Sequence, residues 1–311
     1  MSWLKRHRKQ PGWLALSVHA DRVDLVHAKR TVGGRPELAL CDSFRKEGSD
    51  VDTLTRLRRE LTLEQYRCTT LLPANEYQLH QIEAPSVPAA EMKSAVRWRV
   101  KDEIDYPVDA ATVEIFEIPS LIEGGSAQSL YAVTAPNEAI ARRIKPFDSA
   151  QVPLEVIDIG ELAQRNIAAL FEPQGEGLAL LAFYAEDGML TFTRGGELYA
   201  ARRIEVSVTQ LMDDDDAQRA EAFERVTLAV QRSLDYFERE FSVVPLGKLV
   251  LAPLPKDVGL LEHLQSEIDG RVEGADLAEV MDLAAVPELK RPERQAHFLP
   301  MIGAALREEI A

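Results

Sequence analysis

Residues 178–206 read LALLAFYAEDGMLTFTRGGELYAARRIEV, and their pattern decides the fold class. Residues 178–184 are an apolar run of strand length, ended by the polar turn Glu186-Asp187-Gly188. Residues 189–193 give a second strand, Gly195-Gly196 a tight turn, and residues 198–206 a third strand. The same order occurs near the N-terminus. Residues 13–18 are a short apolar run, 23–27 alternate, and 37–44 follow the Gly33-Gly34 turn. The two glycine pairs lie about half a chain apart, so the sequence reads as two halves built on one plan.

Helices follow in each half. Residues 51–61 look helical and precede a strand at 69–72. The next helix is expected over 88–104: Ser86 is placed to cap it, Pro88 suits its first turn, and Met92, Val96, Val100 and Ile104 recur four apart. Strands at 113–118 and 130–134, with a Gly124-Gly125 loop between them, and a helix at 137–147 complete an inserted α/β subdomain over 76–148. In the second half the strongest helix runs over 217–241, where Phe223, Val226, Val230, Leu234, Phe237 and Phe241 recur at three and four. Asp213, Asp214, Asp215 and Asp216 before it favour its dipole and read as a solvated cap. A strand at 248–251 and helices at 258–269 and 298–307 close the chain.

Composition narrows the function. A chain of 311 residues, 46% hydrophobic and 28% charged, can bury two cores. Its net charge of −15 opposes attraction to nucleic acid, so proteins are the expected partners. Cys41 and Cys68 sit in apolar runs and read as buried free thiols of a reducing, cytoplasmic compartment. The longest uncharged apolar stretch, 177–185, is far short of the roughly 20 residues that span a bilayer. Lys5, Arg6, His7, Arg8 and Lys9, beside Trp3 and Leu4, form a basic tail that reads as solvated or as touching an anionic membrane surface. His7, His19, His27, His80, His263 and His297 lack ligand spacing, so no metal is expected. Walker, Gly-x-Gly-x-x-Gly and Gly-x-Ser-x-Gly signatures are absent.

Three stretches carry a resemblance. A helix ending in Glu103-Ile104 runs into Asp105-Tyr106-Pro107-Val108; Val156-Ile157-Asp158-Ile159-Gly160-Glu161-Leu162-Ala163-Gln164-Arg165 joins the halves; Pro300-Met301-Ile302-Gly303-Ala304-Ala305-Leu306-Arg307 closes the chain. In this order, with the duplicated hairpins, they resemble the PilM family of type IV pilus assembly proteins, in particular its MshI relatives from mannose-sensitive (MSHA) pili. The resemblance implies an α/β, actin-like (ribonuclease H-like) duplicated fold, with a subdomain inserted in the first half and a reduced or missing one in the second. The expected organisation is a basic tail over 1–12, a first half over 13–172, a second half over 173–290 and a C-terminal helix over 291–311 packing back on the first half.

The actin-like fold holds a nucleotide between its halves, its hairpin amides cradling phosphate and an aspartate near each hairpin organising magnesium. The family's aspartate, glycine and lysine of the first hairpin fall on Ser17, His19 and Asp24, and its aspartate and glycine of the second on Ala182 and Tyr184. Its adenosine-side glycine pair falls on Pro253 and Leu254; proline lacks the amide hydrogen. The nucleotide site thus reads as degenerate, with no ATP or magnesium bound and no catalysis. The alternative is an active ATP-binding switch in which Arg22, Lys29 or Arg202 takes over phosphate contacts.

The resemblance further implies a cytoplasmic scaffold at the inner-membrane face. It would bind the tail of a PilN-like (MshJ-like) bitopic membrane protein and link it to the assembly ATPase, with a homodimer left open. By analogy with the family's peptide groove, Arg97, Trp98, Tyr106 and Pro107 are the candidate partner-binding residues. A type II secretion protein of the GspL kind and a sugar-kinase-like phosphotransferase are the runner-up readings; the first continues into a membrane span and the second needs the missing aspartates.

Overall fold

The computed structural model describes residues 9–31, 33–120 and 129–308. Strands β1 (Trp13–Val18), β2 (Arg22–Lys29) and β3 (Glu37–Arg45) form an antiparallel meander. Helix α1 (Asp50–Leu61) opens on a capping box in which Ser49 and Asp52 each bond the other's backbone N–H, and β4 (Arg67–Leu71) returns parallel to β1.

An insertion follows. Strand β5 (Gln78–Glu83), helix α2 (Ala89–Arg99), β6 (Ala111–Glu117) and β7 (Ser129–Pro136) make an antiparallel sheet in the order β5-β7-β6. Val96 and Val100 seat the α2 segment on one face of it, against Val113, Leu130 and Ala132. Helix α3 (Asn137–Ala150) and β8 (Leu154–Asp158) then rejoin the first sheet, whose order is β3-β2-β1-β4-β8. Helix α4 (Gly160–Ala168) crosses to the second half.

There β9 (Gly177–Phe183), β10 (Gly188–Arg194) and β11 (Glu197–Ile204) repeat the meander. A short helix α5 (Val208–Leu211), the long α6 (Asp216–Glu240), β12 (Leu246–Leu251), α7 (Leu260–Glu267) and β13 (Val272–Gly274) complete a second sheet in the order β11-β10-β9-β12-β13. The chain ends in α8 (Leu277–Val280) and α9 (Pro292–Ala305). Both five-stranded sheets therefore have one plan, three antiparallel strands followed by two parallel ones.

Helices α4 and α9 join the halves. Ile167 on α4 and Phe298, Ile302 and Ala305 on α9 pack with Ala15 and Val26 of the first sheet and with Leu178, Leu180 and Val250 of the second. Each large aliphatic or aromatic side chain so buried contributes about 1.5–3 kcal/mol. Gly303 lets the two helices touch: a Cβ there would stand 2.2 Å from the Ala163 carbonyl oxygen.

Several expectations are corrected. The helix expected over 88–104 stops at Arg99 and tightens into a 3₁₀ turn at Val100–Asp102; Pro88, in extended conformation, is its N-cap residue, and Ser86 makes no cap. The helix expected over 258–269 spans only Leu260–Glu267, because Gly259 before it is left-handed at φ +82. The last helix begins at Pro292, a proline-first start that the apolar spacing does not reveal. Helix α3 reaches Ala150, and Phe147 and Ala150 pack against Leu54 and Leu57 of α1, so it layers on the first sheet and the inserted sheet itself ends at Pro136. The basic tail up to Arg8 and the Gly124-Gly125 loop lie outside the described residues.

Candidate functional site

Among the cavities beside the residues that join β4 to β5, two lie on opposite sides of Leu72. The first is a cleft of about 380 Å³ between the hairpins of the two halves, lined among others by Ser17, His19, Leu72, Gly160, Tyr184 and Arg203. Glu161, in the first turn of α4 and 2% exposed, accepts a hydrogen bond from the Tyr77 hydroxyl. Arg203 on β11 donates to Glu161 Oε1 at 2.9 Å, to Tyr77 Oη at 3.0 Å and to Asp187 Oδ2 at 2.7 Å. The Gly160 amide also donates to Tyr77 Oη, at 3.3 Å. Burial, reinforced by the charge on Glu161, holds the Tyr77 hydroxyl well above the usual tyrosine range. Burial works against the Arg203 cation, but Glu161, Tyr77 and Asp187 together outweigh it and hold the guanidinium charged.

Tyr184, which the sequence resemblance sets at a glycine position, lines the cleft. Its hydroxyl donates to Gln164 Oε1 at 2.7 Å, and Gln164 Nε2 donates to the Leu180 and Met189 carbonyls at 2.8 and 3.0 Å. A phosphate in this cleft would meet Glu186 and Asp187, while its nearby cations are engaged: Arg203 by Glu161 and Asp187, and Arg143 by Glu76 at 3.4 Å. The alternative phosphate carriers are engaged as well. Arg22 bonds Asp24 at 3.2 Å, Lys29 bonds Glu37 at 3.3 Å, and the Arg202 guanidinium lies 4.2 Å above the Tyr236 ring.

Of the positions expected to be degenerate, Ser17, His19 and Tyr184 line the cleft. Ala182 is buried in the core shared with α9, and Leu254 packs on the core of the second half; neither they nor Pro253 and Asp24 line the cleft. Asp24 lies behind His19, bonded to it and to His297. Among the described residues no group of three or more His, Cys, Asp or Glu is arranged to hold a metal ion, and no helix is long and apolar enough to cross a membrane.

The second cavity is a groove of about 390 Å³ between the inserted sheet and the first half. Phe116, Val133 and Ala135 form one wall, on the sheet face opposite α2; Ile140 on α3, Ile159 and Leu162 on α4 form the other. Only Thr112, Glu114 and Asp158 are polar among its lining. Burial pushes the Asp158 carboxyl up, against the pull of Arg307, whose guanidinium donates to it at 2.6 Å.

Sequence reasoning did not single out this groove, and the partner-binding residues it named lie elsewhere on the inserted sheet. Arg97, Trp98, Tyr106 and Pro107 do not line it, because α2 and the turn after it cover the opposite side of the inserted sheet. Arg97 is spent internally, donating to the Val108 carbonyl at 2.7 Å and the Ala111 carbonyl at 2.9 Å. Tyr106 packs on the core under α2, Pro107 is exposed, and Trp98 is 66% exposed with the Lys101 ammonium 5.7 Å above its ring. The available signal was alternation: Thr112, Glu114 and Phe116 share one face of β6, so their face needed a cover that α2 could not supply.

Two sheets of one order, three antiparallel strands then two parallel, face each other across a cleft and share two helices. The chain has the actin-like fold. Among solved structures, the actin-like chain is similar to one from a PilM–PilN type IV pilus biogenesis complex, with a TM-score of 0.68 and 21% identity over 95% of this chain and 98% of that one. It is more distantly similar to the cytoplasmic domain of EpsL, an inner-membrane component of the type II secretion system of Vibrio cholerae, with a TM-score of 0.48 and 12% identity over 92% and 94% of the two chains. A protein of actin-like ATPase fold and unknown function from Bacteroides thetaiotaomicron gives 0.48 and 9%, over 93% and 98%. No family model and no curated protein matches the chain.

Proposed function

We propose that this actin-like chain is a non-catalytic scaffold of a type IV pilus assembly machine, of the MSHA kind, that captures a short apolar segment of a PilN-like (MshJ-like) inner-membrane protein. The observation that carries the reading is the groove beside the inserted sheet. Its walls are apolar, and its buried carboxylate, Asp158, is already neutralised by Arg307. Such a cavity suits apolar side chains fixed by a few polar contacts. The likeness to the PilM chain supports the partner class. The cleft contents support the pseudo-ATPase part, since Tyr184, Glu186 and Asp187 stand where phosphate would need backbone amides and positive charge. A platform of this kind works at the cytoplasmic face of the membrane, through its partner, and hands the membrane complex to the assembly ATPase without turnover.

Isothermal titration tests this. A synthetic N-terminal peptide of the candidate membrane partner is expected to bind wild-type protein and to lose at least about tenfold in affinity with Ile140→Asp, which puts a charge in the apolar wall. ATP with magnesium is expected to give no heat. Saturable ATP binding without peptide binding would return the chain to the nucleotide-switch class.

A further inference from the structure

Tyr77 lines the cleft and packs behind the groove. Its ring lies in the apolar cluster of the groove, with Leu72, Ala135 and Ile159, and only 7% of the residue is exposed. Its hydroxyl points the other way, into the cleft, where it meets Glu161, Arg203 and the Gly160 amide. Leu72 lines both cavities. Residues 72–77 are thus the partition between cleft and groove, fixed at Leu72 by a backbone bond to the Asp158 carbonyl at 2.8 Å.

The other fixed point comes from the opposite half of the molecule. Arg203 stands on β11, and its two Nη atoms reach Glu161 of the crossing helix, Asp187 of the second hairpin and Tyr77. Glu161 is buried, Asp187 partly so, and one guanidinium serves both; removing it would leave the Glu161 carboxylate unpaired next to the Tyr77 hydroxyl. We infer that Arg203 is a positioning residue for the groove: through the Tyr77 hydroxyl it holds the partition, so a side chain of the second half helps set the shape of a groove it does not line. Arg203 does not line the groove, which separates this role from direct contact. The positional part stands on geometry alone, and the affinity part rests on the groove being the partner site.

The test uses the full chain as wild type, Tyr77→Phe, Arg203→Lys and Arg203→Ala. Tyr77→Phe keeps the ring in the groove cluster and deletes only the oxygen that Arg203 and Glu161 hold, so it carries the test if Arg203→Ala fails to fold. Hydrogen exchange followed by mass spectrometry, without any ligand, is expected to be about tenfold faster in Tyr77→Phe and Arg203→Ala over 72–80 and in the segment containing Gly160, with Arg203→Lys between them and wild type. Unchanged exchange in both variants would overturn the partition role. The apolar N-terminal peptide is then titrated, and about fivefold weaker binding to Tyr77→Phe is expected. Faster exchange with equal affinity would overturn the coupling to the groove. A wild-type protein that binds no peptide would overturn the partner reading and the coupling with it, while the exchange data still decide whether Arg203 holds the partition.

Discussion

Asp24 shows how a residue singled out in the sequence for the cation it does not supply can hold a structural place that the sequence does not reveal. The resemblance drawn from the sequence sets a lysine position there, and the sequence says nothing of what the aspartate touches. In the structure the carboxylate is 2% exposed; Oδ1 accepts from Ser43 Oγ at 2.6 Å and Arg22 Nε at 3.2 Å, and Oδ2 from the Nε2 atoms of His19 and His297 at 3.0 Å each. Burial alone would raise its pKa, but these hydrogen bonds outweigh it and hold the carboxyl far below the usual range. A folded-state pKa below the unfolded value stabilises fully above the ordinary carboxylate pKa near 3.8 and loses that contribution progressively as pH falls below it toward the lower folded value. Asp24→Asn should therefore cost about 1–3 kcal/mol at pH 7, with the gap to wild type shrinking below about pH 4 in thermal melts at both pH values. A pH-independent gap would sink this account. On α2, Arg97→Ala should cost about 1–3 kcal/mol by orphaning the Val108 and Ala111 carbonyls, whereas Trp98→Ala should move the melting temperature by about 1 °C at most. Trp98's place off the stripe of Met92, Val96 and Val100 left its exposure open, and Arg97's carbonyl partners, eleven and fourteen residues onward, had no local signal.

At the scale of elements, what repeats locally was legible and what depends on a neighbour was not. Alternation, glycine pairs and three-four spacing located both meanders and α6 to within a residue or two. Strand β5 was missed although Leu79 and Ile82 mark it, because His80 and Gln81 between them break strict alternation; its partner is β7, some fifty residues away. The apolar spacing reached back only to Phe298 in α9 for a related reason: its first turn is polar, and it is helical because Phe298 and Ile302 further along pack into the shared core. Gly303 gives this packing a direct test. Gly303→Ala would place a methyl 2.2 Å from the Ala163 carbonyl, backbone that cannot move without displacing α4, and would disturb the Asn166 bond to the Gly303 carbonyl at 2.9 Å. Overpacking of this sort costs about 1–3 kcal/mol or more, although alanine is the better helix former by about 1 kcal/mol. A variant as stable as wild type in urea would mean that α4 and α9 can part freely.

Across the whole molecule, the duplication was visible in the sequence because each half encodes its own meander, but the cleft and the groove arise only where distant segments meet. Their walls come from residues as far apart as Ser17 and Arg203, or Leu72 and Leu162. The same long-range assembly bears on cooperativity. The core around α4 and α9 contains side chains of both sheets, and α9, from the end of the chain, packs on β1, β2 and β4 at its beginning. Neither half can therefore bury its inner sheet face alone: unfolding the first half strips the cover from Leu178, Leu180 and Val250, and unfolding the second strips it from Ala15 and Val26. The sequence boundary near residue 172 is then a topological seam rather than a line along which the protein comes apart. Calorimetry should show one transition whose van't Hoff and calorimetric enthalpies agree, and a fragment ending at 172 should fail to fold, since it lacks α9. Two resolved transitions, or a folded fragment, would show that the shared helices do not couple the halves.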